Sequence, residues 1–259
     1  MGLYLKAVDV CVPSLKPLDP DFEGHLRQRI PIHCLLTSDL PGRGSARQDL
    51  ISRVDTDWFA FVDTDVRLRP NWWDNVCSMV SDHVGAVEGL WSYALTDRTV
   101  DNYSRAMSQL AKLVKKKGWE ERVERGFTGD TLIRNAAVRG ISIPPGLDFY
   151  EDEFIRRHIL KMGFSWVRTG QVDCDHLRKY NLDDAYDSGR YAFYFGQTDL
   201  VAQLRRFPLI PLKAIFAVLK TSDVGILPFV LKRETRVFRG VVHASSTRSV
   251  NPRSALAPA

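Results

Sequence analysis

The sequence predicts an α/β protein, an open sheet flanked by helices and followed by a helical C-terminal extension. Three observations carry that expectation. Through the first two thirds of the chain, short apolar runs alternate with helix-like segments, the rhythm of strands joined by helical crossovers. One run, Trp58-Phe59-Ala60-Phe61-Val62, is apolar without a break, which suits a strand covered on both faces. After Tyr186 the texture changes to aromatic and then apolar-basic helices. With 44% hydrophobic and 26% charged residues over 259 positions there is material for a sizeable core, and disorder of the whole chain is excluded.

Leu5 to Val12 reads as the first strand, stopped by Pro13, and Ile32 to Thr37 as the second. Gly42 to Ser45 breaks the chain, with Ser45 as the expected cap of a helix from Ala46 to about Arg53. The buried run 58–62 is the third strand and ends abruptly in Asp63-Thr64-Asp65. Pro70 and Asn71 open a helix to about Ser81, and Val84 to Leu90 forms another strand. Asp101 to Lys117 is helical in pattern, its basic end Lys115-Lys116-Lys117 matching the C-terminal dipole. A loop rich in glycine follows (Gly118, Gly126, Gly129), and Pro144-Pro145-Gly146 is a firm break. Asp152 to Met162 is a helix closed by Gly163, and Phe164 to Val167 a short strand. Residues 245–259 read as a disordered tail.

The net charge of +5 is unevenly spread: residues 201–259 hold ten Lys/Arg against two acids, and residues 1–200 hold 26 against 29. A nucleic-acid binder carries its basic stripe across the folded domain, so nucleic acid is not an expected partner. The four cysteines (Cys11, Cys34, Cys77, Cys174) have neither C-x-x-C nor finger spacing and read as reduced core thiols. The opening MGLYLKAVDVCVP is broken by Asp9 and lacks the apolar core of a secretion signal. No run of about 18 apolar residues is present. The expected location is the cytoplasm, with association at the inner face of the membrane as a further expectation.

Two carboxylates one residue apart, at the end of a buried strand, carry the chemistry. In open sheets, ligands bind outside the carboxyl ends of the strands. Asp63 and Asp65 there can approach a hard divalent cation, Mg²⁺ or Mn²⁺, while a diphosphate fills its remaining positions. The bland alternative is that Asp63 ends the strand and Asp65 is a solvated turn acid.

The segment LLTSDLPGRGSARQDLISRVDTDWFAFVDTDVRLRPNWW resembles the nucleotide-binding half of family 2 glycosyltransferases of the GT-A fold. Asp39, Gly42 to Gly44, Ala46-Arg47 and Asp63-Thr64-Asp65 follow that family's order and spacing, and VDVCVPSL resembles its first strand. The resemblance implies a Rossmann-like mixed sheet of GT-A type. It implies that Pro13, Ser14, Asp39, Arg47 and Asp63 hold a nucleotide-diphosphate sugar and that Asp65, with Asp63, holds the metal. Gln48 stands where the family has Asn, and Leu15-Lys16 where it has an aromatic-Asn pair, so the base is left open. GFTGDTLIRNAAV resembles the acceptor-side segment, which assigns Gly129 and Arg134 to the acceptor. DFYEDEFIRRHILKMGF resembles the Glu-Asp helix start, which makes Asp152 the general base beside Glu151. DCDHLRKY resembles the trailing histidine, making His176 a further metal or diphosphate ligand. The likeness covers roughly residues 7–180.

The implied division is a catalytic domain over 1–182, nucleotide-binding to about 90 and acceptor-binding beyond, then a helical extension over 183–244. The extension's segments RRFPLIPLKAIFAVLK and GILPFVLKRETRVFRGVV are apolar and edged with Lys and Arg. Lys213 and Lys220, seven apart, share a helix face. These helices either pack on the catalytic domain or lie in a membrane interface through residues 201–244, which would suit a lipid-linked, polyprenyl-phosphate type of acceptor as well as a glycan. Two rivals differ in class. A haloacid-dehalogenase-like phosphatase would use Asp63 as nucleophile, although some 60 residues of α/β pattern precede it. A non-catalytic nucleotide- or carbohydrate-binding module would bind without transfer.

Overall fold

A computed structural model of the chain describes residues 5–114 and 125–247, the last four of the first stretch by backbone alone. The Lys115-Lys116-Lys117 end, Gly118 and most of the expected tail lie outside the described residues.

Two compact units are present. The first, over described residues up to 92 and from 125 to 177, is built on a sheet. Its elements are β1 (Val8–Pro13), α1 (Pro20–Arg29), β2 (Ile32–Ser38), α2 (Arg43–Ser52), β3 (Trp58–Val62), β4 (Val66–Leu68), α3 (Trp72–Ser78) and β5 (Val84–Ser92). After α4 (Arg98–Val114), which belongs to the second unit, come β6 (Asp130–Arg134), α5 (Glu151–Lys161) and β7 (Ser165–His176). The seven strands lie in the order β2-β1-β3-β6-β5-β7-β4. β1 runs parallel to β2 and β3, and β5 parallel to β7, while β6 is antiparallel to both β3 and β5. The sheet is therefore mixed.

All five residues of β3 are buried, as an unbroken apolar run requires. Val8, Val10 and Val12 alternate with them into a core that includes Leu26, Trp72, Val87 and Leu132. Several boundaries differ from the sequence reading. α2 begins at Arg43, two residues ahead of Ser45, with Gly42 at φ 89° in the capping position. Ser45 is thus inside the helix, because the chain turns before it at Gly42, where the positive φ and the Asp148 side chain leave no room for a Cβ. A Cβ on Gly44 would also stand 2.5 Å from the Leu147 carbonyl oxygen. β7 runs for 12 residues rather than ending at Val167. Its polar positions concealed it: Arg168 bonds to buried Glu88, and Asp173 accepts from buried Thr169, instead of facing solvent. Gly163, at φ 86°, follows α5 as expected. All four cysteines are free; Cys11 and Cys174 are buried, but Cys34 is exposed and does not belong to the core.

The second unit joins α4 to α6 (Asp183–Tyr194), α7 (Leu200–Arg206), α8 (Leu209–Thr221) and α9 (Ile226–Ser246). α6 and α9 cross where Gly189 faces the Val237 carbonyl and Gly240 faces that of Tyr186, an approach that any side chain would block. A small core of Ala106, Ala214, Ala217, Ile226 and Val230 ties α4, α8 and α9 together. Among the described residues, no helix is long and apolar enough to cross a membrane.

Candidate active site at one end of the sheet

Strand register gathers the candidate residues at one edge of the first unit. Pro13 pairs with Ser38, and Cys11 with Phe61, so the ends of β1, β2 and β3 lie side by side. β6 runs the other way, and its first residue, Asp130, pairs with Val62. His176, the last residue of β7, pairs with Val66. Ser14, Asp39, Asp63, Asp65, Gly129 and His176 thus stand at or just beyond strand ends on the same side. Two buried hydroxyls at this edge, Ser38 Oγ and Thr128 Oγ1, have no hydrogen-bond partner among the described residues.

Arg47 is the hub. Its Nη2 donates to Asp63 Oδ1 at 3.0 Å, and its Nη1 donates to Glu151 Oε1, a residue 104 positions away. Arg47 as a whole is 4% exposed. Burial works to lower its pKa, but Asp63, then Glu151, Asp152 and Asp65 outweigh it and raise the net value. Burial pushes Glu151 the other way, up to about 6, against the pull of Arg47. A helix start on one side of the sheet is in this manner clamped to the strand-end acid by a single cation. The N-terminus of α2 presents Arg47 because Gly42 and Gly44 let the 143–148 segment close over it, and Gln48 Oε1 accepts from Ile143 N at 2.8 Å to hold that segment. The Gln at this position therefore has a structural partner of its own.

Asp65 and His176 form the second feature. His176 Nε2 lies 3.7 Å from Asp65 Oδ2, and the Asp65 carbonyl accepts from Leu177 N at 2.7 Å, which fixes the two residues together. The imidazole meets the Trp91 ring edge-on at 5.3 Å. Both Asp63 and Asp65 keep about a third of their side-chain surface open, at 34% and 35%. An oxygen-rich pair with one imidazole is a donor set suited to Mn²⁺ or Mg²⁺. Among the described residues no group of three or more His, Cys, Asp or Glu is arranged to enclose an ion. The protein donors on their own are too few, and a ligand's oxygens would have to complete the shell. Gly129 makes room here: its carbonyl accepts from Asp63 N at 2.9 Å, and a Cβ on it would sit 3.0 Å from Asp63 Oδ2.

Asp152 sits in the first turn of α5. One of its oxygens accepts from Glu153 N at 2.7 Å; the other is 3.6 Å from Arg125 Nη2. Arg125 is stacked over Tyr150 at 3.8 Å and Phe127 at 4.8 Å, with its Nε unpartnered among the described residues. Tyr150, the residue before the helix, holds φ 70°, a left-handed conformation that a bulky residue adopts only where its surroundings impose it. Glu153 is turned inward onto Gly126 N, Arg156 and Arg157 and is structural.

One sequence expectation stands apart from this cluster. Arg134 does not reach it. It pairs with Trp58, at the opposite end of β3 from Asp63, and donates to the carbonyls of Val84 and Ser81 while stacked on Trp58. The antiparallel direction of β6 separates it from Gly129, and its contacts there are those of a strand-end brace. Ser14 is beside the edge, but its hydroxyl is turned to the Lys16 carbonyl at 2.6 Å, and Asp39 is exposed, with no hydrogen bond or ion pair to another described residue. Sequence reasoning missed Arg125, whose one signal is its place five residues before Asp130 in the glycine loop. It also missed the buried acids beneath the site. Glu88 binds Arg168 and Trp166 Nε1, and its carboxyl is pushed up to about 7 by burial against the pull of Arg168. Asp130, wholly buried beside Cys174 Sγ at 3.0 Å, is raised well above the carboxylate range by burial.

No protein-family model matches the chain, and no curated protein matches it. Solved structures do. A mannosyltransferase from Pyrobaculum calidifontis, in complex with GDP-Man and Mn²⁺, superimposes with a TM-score of 0.53 at 15% identity, covering 98% of this chain and 79% of that one. Glucosyl-3-phosphoglycerate synthase from Mycobacterium tuberculosis, in complex with Mn²⁺, UDP and phosphoglyceric acid, gives 0.46 at 14% identity over 69% and 73%. At such identities the first of these likenesses speaks for architecture: a mixed sheet flanked by helices, of the GT-A Rossmann-like type.

Proposed function

We propose that this chain is a metal-dependent glycosyltransferase that moves a sugar from a nucleotide-diphosphate donor to a glycan or lipid-linked acceptor. The observation that carries the reading is the Arg47 clamp. It joins the strand-end acid Asp63 to Glu151, and so brings the helix start bearing Asp152 to the same edge as Asp65 and His176. Buried, mutually perturbed charges gathered at a strand-end edge are a mark of a reacting site. The unpartnered hydroxyls of Ser38 and Thr128 add polar groups that a ligand could satisfy.

Asp65 and His176, with Asp63 alongside, would hold Mg²⁺ or Mn²⁺. When bound, such a cation offsets the charge that builds on a departing nucleotide diphosphate. Pro13, Ser14 and Asp39, at the ends of β1 and β2, would carry the base and ribose. Asp152 accepts the proton of the acceptor hydroxyl. The freed oxygen bonds to the anomeric carbon as the bond from that carbon to the diphosphate breaks, its electron pair leaving with the nucleotide, and the configuration inverts. Arg125 keeps Asp152 oriented from the side opposite the Glu153 amide.

The test is a thermal-shift screen of UDP-, GDP- and dTDP-sugars with Mn²⁺. The right donor at a hundred times its Kd should stabilise the chain by about 2.7 kcal/mol. Asp65→Ala should remove that shift. Asp152→Asn should keep it while turnover falls by about 10²–10⁴-fold. Full turnover by Asp152→Asn would sink the base assignment. Hydrolysis of p-nitrophenyl phosphate with indifference to every nucleotide sugar would instead favour the phosphatase chemistry.

A further inference from the structure

The second unit carries a surface that the transfer reaction does not use. On α8, Leu209, Leu212, Ile215 and Leu219 recur every three or four residues along one stripe and are 48%, 63%, 49% and 79% exposed. The opposite face of the same helix is already committed, through Ala214 and Ala217, to the core with α4 and α9. The apolar stripe is therefore surplus to the fold. It continues in sequence on both sides. Phe207 precedes it at 44% exposure, and Val224, Leu227 and Leu231 follow at 73%, 44% and 60%.

The charges beside it are mostly of one sign. Arg205, Arg206, Lys213, Lys220 and Lys232 are all exposed, and none forms an ion pair with a described residue. The acids of this stretch are occupied: Asp223 accepts from Asn102 Nδ2 at 3.1 Å and Gly225 N at 3.0 Å, and Glu234 is paired with Arg233. Water is a poor neighbour for so many large apolar side chains, and a contiguous exposed set with a charged rim marks a contact surface. A second copy of this chain would bring the same five cations against themselves, which disfavours self-association. An anionic lipid surface meets both demands, since acyl chains accept the leucines and headgroups accept the lysines and arginines.

We propose that α8, with the adjoining end of α7 and start of α9, lies in the headgroup region of an anionic bilayer and docks the protein there without crossing it. Lys213 and Lys220 flank the leucine stripe seven residues apart on α8, so both can reach phosphates while the stripe enters the acyl boundary. The docking is independent of the glycosyltransferase reading, and a phosphatase or a binding module with this surface would dock in the same manner.

The experiment is co-sedimentation of the full chain with phosphatidylcholine vesicles and with vesicles containing phosphatidylglycerol, run beside size-exclusion chromatography. The chain should pellet with the anionic vesicles, more weakly as salt is raised. Leu212→Glu with Leu219→Glu should abolish pelleting, and each of Lys213→Gln and Lys220→Gln should weaken it by about fivefold. These residues are exposed, so the melting temperature of each variant should match the parent and separate loss of docking from loss of fold. The proposal is overturned by failure to pellet with anionic vesicles, by pelleting that ignores the leucine substitutions, or by a dimer that Leu212→Glu dissociates.

Discussion

The two units break the ordinary rule of burial in opposite directions. The first buries charge: Arg47, Glu88, Asp130, Glu151, Asp152, Glu153 and Asp173 are all buried. The second exposes bulk, with Leu212, Leu219, Val224 and Leu231 each at 60% or more. Neither departure helps a chain fold in isolation. A buried ion must recover its lost hydration from partners, and an exposed leucine leaves unspent the gain its burial would bring. The first kind of departure concentrates potential at the strand-end edge, where the proposed transfer would need it. The second leaves an apolar surface for something outside the chain. Charge inside and grease outside are thus two different signatures of function in one polypeptide.

Three measurements would sharpen or break that contrast. The largest effect belongs to Arg47→Met. It strips the countercharge from Glu151, at 3% exposure, and from Asp63, and should cost about 3–5 kcal/mol in chemical denaturation. A loss below about 1 kcal/mol would mean the clamp is not held as drawn. The next concerns pH. Glu88 keeps its proton up to about pH 7 in the fold, against an ordinary value of 4.5. Between those values the folded state binds more protons than the unfolded one, so this residue makes stability fall as pH rises and adds no further slope above about 7. Glu88→Gln should therefore flatten the decline in melting temperature from pH 5 to pH 7, and an unchanged slope would place the titration elsewhere. The smallest effect is expected in the second unit. Leu219→Ser, at a site 79% exposed, should change stability by no more than about 0.5 kcal/mol. A larger loss would mean the side chain is covered within the protein, and the contrast would fail.

Much of the first unit could be read from its residues. The run 58–62 came out as a buried strand because its apolarity is continuous and local. α5 was bounded within a residue at each end, since acids open it and Gly163 closes it. β6 and most of β7 were not legible. Asp130, Thr131 and Asp173 are polar residues in wholly buried strand positions, and a pattern that equates polar with exposed passes over them. The Ser45 cap was misplaced for a related reason: a serine is a good cap by composition, but the left-handed turn two residues earlier belongs to Gly42. Arg134 is drawn to the site by the family likeness of its segment, and the direction of β6 sets it at the far end of the strand from Gly129.

By itself, the sequence determined the kinds of group and their order along the chain: two strand-end aspartates, an arginine in the helix before them, an acidic helix start, and a C-terminal quarter both apolar and basic. Those are local properties, set by neighbours a few residues apart. Tertiary structure decided which groups meet. The bond from Arg47 to Glu151 spans 104 positions, and the approach of His176 to Asp65 depends on β7 pairing with β4. Such contacts depend on strand register and direction, which no window of sequence contains, because a strand's side chains alternate identically whether it runs up or down the sheet.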